Sequence, residues 1–405
     1  MHMLRTLLCC SITLLAGYRV GPFIGAPPTP RAAAAPCMQL SAEALDLTKE
    51  APPGPDPYKI VVDDLDYIKS SIKKMLKGSK GETSALSSNS VLTMAAREFM
   101  SRKGKSFRPM LVLLIGRATN PDFVTDARHT KLAVISEMIH TASLIHADVL
   151  EEHETDSTQG TLVHQEVALD VGNKVCILAG DFLLAKAAVE LSLLESSPVT
   201  EIVARGLEAI CEGGMRAYNT TVVDCTAGDT LHTLTLQGHL ATVSESIAAL
   251  IANVCHSSAI LSGHDPDSVV AQACRLYGEH LALARHLVGE AEEIDSALRK
   301  SRRNPANLPA LLPRGVHGVA RAPILIAAES YPEVRAILTG AADGSDAPEG
   351  CAELLERSGA VAKTRELALH HAQEAAEALE ALPPSATRDA LMVLCHKVVT
   401  GVPIK

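Results

Sequence analysis

The chain has 405 residues, of which 47% are hydrophobic and 21% charged, so it is able to bury a large core and is not a disordered protein. Aromatic residues make up only 3%, which argues against a sheet-rich fold and favours helices. The net charge of −10 argues against nucleic acid as a partner, because binding to phosphate backbones needs a basic surface.

Residues 1–42 contain no acidic residue, and three basic residues are spread along them, Arg5, Arg19 and Arg31. Leu7–Ala16 is an apolar stretch that is too short to span a bilayer comfortably. We interpret residues 1–42 as an organelle-targeting segment that is cleaved; the alternative is a disordered tail that stays attached. The apolar core followed by an acid-poor spacer slightly favours a plastid over a mitochondrion.

Residues 43–57 are predicted to be a linker, since Ala51–Pro57 is rich in proline. From residue 58 onward, apolar residues recur with a helical period between short breaks, which predicts one helical domain over residues 58–405. The predicted helices are Ile60–Lys77, Met110–Ala118, Lys131–Leu150, Lys174–Leu194, Thr200–Tyr218, Ala241–Ser262, Pro266–Ala297 and Ala360–Leu382.

The predicted breaks between helices are Gly78–Gly81, Asn120–Pro121, Gly263–Pro266 and Gly340–Gly350. A longer loop is predicted over Ser301–Pro323, where four prolines exclude a continuous helix. No stretch of this domain is predicted to span a membrane. The ten cysteines show neither a CxxC pair nor a Cys/His ligand spacing, so the sequence does not predict a zinc site.

Two predicted helices end in acidic clusters. In the first, Asp148 lies three and four residues before Glu151 and Glu152, so the carboxylates share one helix face and are able to hold Mg²⁺ through a diphosphate. The second cluster contains Glu290 and Glu293. Acidic runs at helix ends are often only solvated faces, so neither cluster is decisive alone.

A basic pair precedes the predicted helix Met110–Ala118. Lys105 and Arg108 lie three residues apart in the segment GKSFRP, and together they are able to meet an anion, with arginine offering a fork of donors to phosphate oxygens. Exposed basic pairs are common, so this pair is also weak evidence by itself.

In this order, the segments resemble the trans-polyprenyl diphosphate synthases that make long chains such as solanesyl diphosphate. Gly104–Pro109 matches the family's basic motif, and Ser136–His146 matches the segment that leads to its first aspartate-rich motif. Further matches are Gly172–Lys174, Leu178–Ala185, Tyr277–Gly278, Gly318–Ala327 and Thr364–Leu382. The resemblance covers nearly all of the chain after the targeting segment.

The resemblance implies an all-α fold, a large antiparallel helical bundle with a central cavity. In working members two aspartate-rich motifs hold Mg²⁺ on an allylic diphosphate, which leaves as an allylic cation forms and isopentenyl diphosphate attacks it. By the same resemblance, Lys105, Arg108 and His140 match the isopentenyl diphosphate site. The small residues Ala142 and Ser143 go with a long open tunnel for the product.

The departures from the family pattern fall on this chemistry. The first aspartate-rich motif begins with Ala147 and ends with Glu151, and the paired arginines that normally follow it are missing from Glu154–Gly160. The second motif begins with Gly289 instead of an aspartate. Three other expected groups are also absent: a Phe-Gln pair is replaced by Arg285-His286, a Lys-Thr pair by Ser246-Ile247, and a late acid by Arg314. Several lost contacts to one leaving group predict a rate too slow for use.

We therefore predict a non-catalytic subunit that pairs with an active polyprenyl diphosphate synthase, or with itself, in the synthesis of a quinone side chain. One alternative is an active synthase in which Asp148, Glu151, Glu152, Glu290 and Glu293 hold Mg²⁺ in altered geometry. A second alternative is a protein that binds isoprenoids without chemistry. Mg²⁺ is the only cofactor expected, and only if a site survives; isopentenyl diphosphate or a polyprenyl chain is the expected ligand.

Overall fold

The computed structural model describes residue 47 and residues 51–77, 90–101, 106–120, 127–152, 162–222, 235–302, 321–331, 333–334 and 350–402. Within these ranges the chain forms helices and turns and no β-strand, which confirms the all-α prediction. Residues 45–405 make up one compact unit. The predicted targeting segment, residues 1–42, lies outside the described residues.

The helices follow one another along the chain with short connections. Their bounds are α1 Pro57–Lys77, α2 Ser90–Ser101, α3 Phe107–Thr119, α4 Ala127–Glu152, α5 Leu162–Ser192, α6 Ser197–Val222, α7 Leu236–Val243, α8 Ala249–Leu261, α9 Val269–Ser301, α10 Ala322–Ser330, α11 Cys351–Arg357, α12 Ala360–Ala378 and α13 Ala386–Thr400.

Each predicted helix overlaps an observed one, but several boundaries differ. The prediction started α9 at Pro266, whereas the helix begins after Ser268, whose hydroxyl caps it by accepting from the N–H of Ala271. The predicted loop Ser301–Pro323 is wrong at both ends, since Ser301 closes α9 and α10 begins at Ala322. Proline is tolerated in a first helical turn, so Pro323 does not prevent α10 from starting there. The rest of that loop, residues 303–320, lies outside the described residues.

The long helix α9 lies at the centre of the bundle and packs against α8, α12 and α13. Tyr277 is fully buried in it, and its hydroxyl donates a hydrogen bond to the carbonyl of Leu391 on α13, at 3.1 Å. Beside it, Gly278 lets α8 approach closely, because a Cβ there would lie 2.9 Å from the Cα of Ala252. Tyr277 and Gly278 therefore set the spacing between α9 and its two neighbours.

The helix α3 is buried on nearly all sides, as its apolar sequence from Met110 to Ile115 leads one to expect. Arg117 ties it to α1 by donating to the carbonyl of Ile60 at 2.8 Å and by forming an ion pair with Asp64. Ser106, directly before the helix, has a φ of 48°, which is uncommon for a residue other than glycine. The last turn of α3 is thus tied to α1.

Helices α7 and α8 are joined without a break by a π-helical turn, Ser244–Ala248. Such turns widen a helix locally and are frequent at functional sites. The continuous stretch Leu236–Leu261 is long and apolar enough to cross a membrane by length and composition, yet 61% of its most apolar part is buried within the protein. Burial of this kind is usual for a core helix of a bundle, so the stretch is weak evidence for a membrane span.

Candidate functional site

A cavity of about 610 Å³ opens between α3, α4, α7 with its π-helical turn, and α9. It agrees with the central cavity that the sequence predicts. Charged and imidazole side chains line it together with apolar ones, which is typical of a site for a polar ligand with an apolar part. The lining residues are Phe107, Arg108, His140, His239, Thr242, Val243, Ser246, Ile247, Ile251, Ala282, Arg285, His286, Gly289, Glu290, Glu293 and Arg321.

Arg108 lies in the first turn of α3 at one wall of this cavity. Burial lowers the pKa of Arg108 to about 10, an effect that the charge of Glu137 opposes and that of Arg285 strengthens. The guanidinium therefore stays positive at neutral pH. Its Nε atom is buried and has no hydrogen-bond partner among the described residues. A buried donor without a partner is costly, so an anion in the cavity would satisfy it.

Glu137 is the acidic residue on α4 whose charge bears on Arg108. Burial raises the pKa of Glu137, and the charge of Arg108 partly offsets that rise. The two side chains therefore balance each other electrostatically on the α3–α4 side of the cavity. The charge of Glu137 reduces the free-energy cost of burying the Arg108 guanidinium, but it leaves the Nε–H of Arg108 without a hydrogen-bond acceptor among the described residues.

His140 lies one helical turn after Glu137 on α4 and also lines the cavity. Burial, together with the positive charges of Arg108 and Arg285, lowers the pKa of His140 to about 3. The imidazole is therefore neutral at physiological pH, so it is able to donate a hydrogen bond to a bound anion but adds no charge. The cations at this end of the cavity are Arg108 and Arg285.

We expect His140 to make the protein less stable in mild acid. In the unfolded chain His140 takes up a proton near its ordinary pKa, whereas in the folded state it stays neutral down to about pH 3. The contribution of the neutral His140 to the free energy of unfolding is therefore fully present above the pKa of the unfolded chain and decreases as the pH falls from there toward about 3. Between pH 7 and pH 5 the decrease is about 1–2 kcal/mol. Denaturant unfolding of the unchanged protein and of His140→Gln, each at pH 7 and pH 5, measures this loss of stability. An equal loss in the two proteins would contradict the prediction.

Arg285 extends from α9 into the cavity, where its guanidinium stacks on the ring of Phe107, 4.3 Å from the ring centroid. In the sequence, Arg285 stands where the family pattern has a phenylalanine. In the structure it brings a second positive charge close to Arg108, as its effect on the pKa of Arg108 shows. The α3–α9 side of the cavity is therefore strongly basic.

Glu290 is buried on α9, and both of its carboxylate oxygens are engaged. Its Oε1 atom lies 3.1 Å from Nε2 of His239 and 3.2 Å from Nε2 of His286. Its Oε2 atom accepts a hydrogen bond of 3.0 Å from the backbone N–H of Ala322, at the start of α10. Burial alone raises the pKa of Glu290, but the hydrogen bonds and charges of the two histidines outweigh it and lower this pKa to about 2.

The described residues of this second acidic cluster do not fit Mg²⁺. The carboxylate of Glu290 is surrounded by imidazole nitrogens, whereas Mg²⁺ prefers oxygen ligands in a near-octahedral shell. Glu293 forms an ion pair of 3.1 Å with Arg321 instead of facing the cavity unpaired. Gly289 has no carboxylate, although a Cβ there would meet no atom within 4 Å, so the missing ligand is not excluded by lack of space.

For the remaining predicted site residues, the structure describes either no atoms or the backbone alone. Lys105 is outside the described residues. Asp148, Glu151 and Glu152 lie in the last turns of α4, but their side chains are outside the described part of the structure. Of the predicted residues, the structure therefore brings Arg108, His140, Glu290 and Glu293 to one cavity.

Four basic residues that line the cavity were not predicted as site residues: His239, Arg285, His286 and Arg321. His286 stood out in the sequence because it occupies an expected glutamine position. Nothing in the local sequence of His239 or Arg321 signals a role, since each lies on a different element from the glutamate that it contacts. The ion pair between Arg321 and Glu293 was also not predicted from the sequence.

Comparison with known proteins agrees with this architecture. The polyprenyl synthetase family model matches residues 89–287. A prenyl transferase of Cyanophora paradoxa is 33% identical over 342 residues, which cover 84% of this chain and 96% of the relative. Solanesyl diphosphate synthase 3 of Arabidopsis thaliana, described as chloroplastic/mitochondrial, is 30% identical over 367 residues, which cover 85% of this chain and 80% of the relative.

Among solved structures, a polyprenyl synthase from Caulobacter crescentus, complexed with calcium and isoprenyl diphosphate, has a TM-score of 0.66. The match covers 87% of this chain and 99% of that chain at 24% sequence identity. At this identity the likeness concerns the fold alone. It supports the all-α bundle with a cavity that the helices of this chain form.

Proposed function

The chain belongs to the polyprenyl synthetase family, and from this premise we propose that it is a non-catalytic subunit of a long-chain polyprenyl diphosphate synthase. The observation that carries the proposal is the engagement of Glu290 by His239, His286 and the N–H of Ala322. This carboxylate holds the place of a family metal ligand, but its oxygens already have partners. The names of the relatives of this chain, such as solanesyl diphosphate synthase, support a long product. By resemblance, this product is the side chain of a quinone.

The proposed subunit keeps the half of the site that holds an anion. Arg108 offers a buried, unpartnered donor, and Arg285 adds a second positive charge nearby. The neutral imidazole of His140 lies at the same end of the cavity and offers a further hydrogen bond. By resemblance, the anion is the diphosphate of isopentenyl diphosphate, and its apolar part extends along the apolar wall of Val243 and Ile251.

The half that ionises the allylic substrate is lost. Release of a diphosphate needs positive groups that hold its developing charge, and groups preorganised for this purpose supply the largest part of such catalysis. By resemblance, a lysine of a Lys-Thr pair contacts the allylic diphosphate, but Ser246 and Ile247 stand in place of that pair here. The Ser246 hydroxyl donates to the carbonyl of Thr242 at 2.6 Å, so it serves the helix itself.

An exposed apolar face supports a subunit role. Leu178 and Val189 on α5, with Leu193 just beyond it, are 47%, 56% and 52% exposed. Their spacing places them along one side of α5, and Leu144 of α4 is also exposed at 50%. We propose that these exposed apolar side chains take part in a protein–protein contact. The proposed occupant is a catalytic homologue with the same bundle.

The proposal is tested by mixing the mature protein with a catalytic polyprenyl diphosphate synthase from the same cell. We expect a complex on gel filtration, and a faster prenyl transfer or a changed product length relative to the catalytic protein alone. Val189→Arg is expected to weaken the complex at least about tenfold, because it buries an unpaired charge in an apolar contact. The matched control is Val269→Arg, since Val269 is also exposed, at 76%, but lies at the start of α9.

Two outcomes would contradict the proposal. One is a mixture that behaves as the sum of its parts, with neither a complex nor a change in product. The other is an equal effect of Val189→Arg and Val269→Arg on the complex, which would place the contact elsewhere. Gel filtration and the prenyl-transfer assay are run at matched protein concentrations, so that a change in product length by a short-lived complex is also detected.

We also propose that the chain acts in an organelle, with the plastid slightly favoured. The composition of residues 1–42 supports this location, as does the chloroplastic/mitochondrial description of the Arabidopsis relative. The division into a targeting segment (1–42), a linker (43–57) and a helical domain (58–405) is part of the same proposal.

A further inference from the structure

Three side chains on the cavity wall bring potential metal-binding atoms together: His239, His286 and Glu290. Each offers one ligand atom, and these atoms all lie within 4.8 Å of one another. His286 and Glu290 share a face of α9 because they are four residues apart, and His239 reaches them from α7. The cluster therefore joins two helices at a position that the local sequence does not reveal.

The spacing of these atoms suits a small four-coordinate ion. Zinc binds imidazole nitrogen and carboxylate oxygen at about 2.0–2.1 Å, which separates neighbouring ligand atoms of a tetrahedral site by about 3.3 Å. Here Oε1 of Glu290 lies 3.1 Å from Nε2 of His239 and 3.2 Å from Nε2 of His286. Without a metal, the Nε2–H groups of the two histidines donate to Glu290. A bound ion takes the place of these hydrogen bonds, with each imidazole carrying its proton on Nδ1 and presenting Nε2 to the ion.

The surroundings of Glu290 also resemble the support of a metal ligand. Its Oε2 atom accepts the backbone N–H of Ala322, which fixes the orientation of the carboxylate. Oε1 lies near both histidines, and Oε2 also lies 3.2 Å from Nε2 of His239. Hydrogen bonds of this kind orient the ligands of many metal sites. His239 and Glu290 are both buried, whereas His286 is 25% exposed toward the cavity. One side of the cluster is thus open to the cavity.

We infer that His239, His286 and Glu290 form a binding site for a divalent ion of the zinc class, with its fourth position open to the cavity for water or another oxygen ligand. Two imidazoles and one carboxylate suit zinc and similar transition metals, whereas Mg²⁺ prefers oxygen ligands alone. The second acidic cluster is accordingly changed from a magnesium site to a site of different metal preference. This inference does not depend on whether the chain is a subunit or an active enzyme.

The test uses the whole mature protein after removal of metals with a chelator. We expect one Co²⁺ per chain to bind with the visible absorption of a four-coordinate ion, Zn²⁺ to displace it, and excess Mg²⁺ to leave it in place. His286→Gln is expected to weaken Zn²⁺ binding about 100-fold or more, because it removes one of three protein ligands. His239→Gln is a second variant with the same expected result, and thermal unfolding without metal checks that both variants fold.

The matched control is His280→Gln, which changes the same residue type on the same helix outside the cavity. His280 lies 3.0 Å from His371, Nδ1 to Nδ1, in a separate histidine group. The inference is overturned if no stoichiometric Co²⁺ site forms, or if folded His286→Gln and His239→Gln bind as the unchanged protein does. It is also overturned if His280→Gln alone removes the binding. Because the readout is metal binding, failure here is distinct from failure of the subunit proposal.

Discussion

Replacing Gly278 with valine is expected to lower the free energy of unfolding by about 3 kcal/mol or more, because the added atoms overfill a closely packed interface. A Cβ at this position would lie 2.9 Å from the Cα of Ala252, 2.9 Å from the carbonyl oxygen of Ile251 and 3.0 Å from Sγ of Cys255. Two of these three atoms belong to the backbone of α8, so a change of side-chain rotamer does not relieve the contact. Helices α8 and α9 must move apart at the wall of the cavity.

Denaturant unfolding of Gly278→Val and of Gly214→Ala measures this effect against a matched glycine. Gly214 also lies inside a helix, α6, but a Cβ there would meet no atom within 4 Å. Alanine in place of Gly214 is expected to raise stability by about 0.5–1 kcal/mol, since it lowers the entropy of the unfolded chain. If the two variants changed stability alike, the close approach of α8 and α9 would not be what fixes the bundle.

Replacing Arg108 with glutamine is expected to weaken the binding of isopentenyl diphosphate about 10- to 100-fold. A hydrogen bond from a charged donor contributes about 1.5–3 kcal/mol. The buried Nε of Arg108 has no partner among the described residues, so it is able to bind the ligand without first breaking another hydrogen bond. Arg108→Lys is expected to retain part of the affinity, because lysine keeps the charge but lacks the fork of donors. Calorimetric titration gives the dissociation constants directly.

Arg205→Gln is the control for this prediction. Arg205 forms an exposed ion pair of 2.8 Å with Glu201 on α6, outside the cavity, and an exposed pair of this kind contributes little to stability. Its replacement should leave the affinity unchanged. If folded Arg108→Gln bound isopentenyl diphosphate as tightly as the unchanged protein, the anion site would lie elsewhere, and the proposed function would lose its ligand.

The helices of the bundle were largely predictable from the sequence, because a buried face repeats its apolar residues with the helical period. The central helix α9 was predicted nearly whole, even though its first residue is set by the capping hydroxyl of Ser268 and not by Pro266. The helix α10 was missed because its proline was counted as a breaker, whereas proline is well suited to a first turn. The π-helical turn Ser244–Ala248 has no sequence signal that we recognised.

The site was predictable only where one segment carries several of its residues. Arg108 and His140 were identified from motifs on α3 and α4, and the structure places both at the cavity. Glu290 was also identified, but as a magnesium ligand, and its surroundings depend on contacts far apart in the sequence. His239 and the N–H of Ala322 reach it from α7 and α10, so only the folded bundle shows that its carboxylate is occupied.

The electrostatic balance of the cavity follows from the same contacts. Glu290 is hydrogen-bonded to two histidines and Glu293 is paired with Arg321, while Arg108 and Arg285 keep their positive charge. A cavity with this balance attracts an anion without needing a metal to bridge two acidic groups. We propose that the protein still binds a diphosphate but no longer ionises an allylic diphosphate.

Prenyl transfer by the isolated mature protein is the measurement that tests this account most directly. The protein is supplied with isopentenyl diphosphate, an allylic primer and Mg²⁺, with a catalytic homologue as the positive control. We predict no product above background from the protein alone, at any Mg²⁺ concentration that supports the homologue. Repeated turnover by the protein alone, abolished by Asp148→Asn or Glu290→Gln, would contradict the account and show that the altered acidic clusters are sufficient for catalysis.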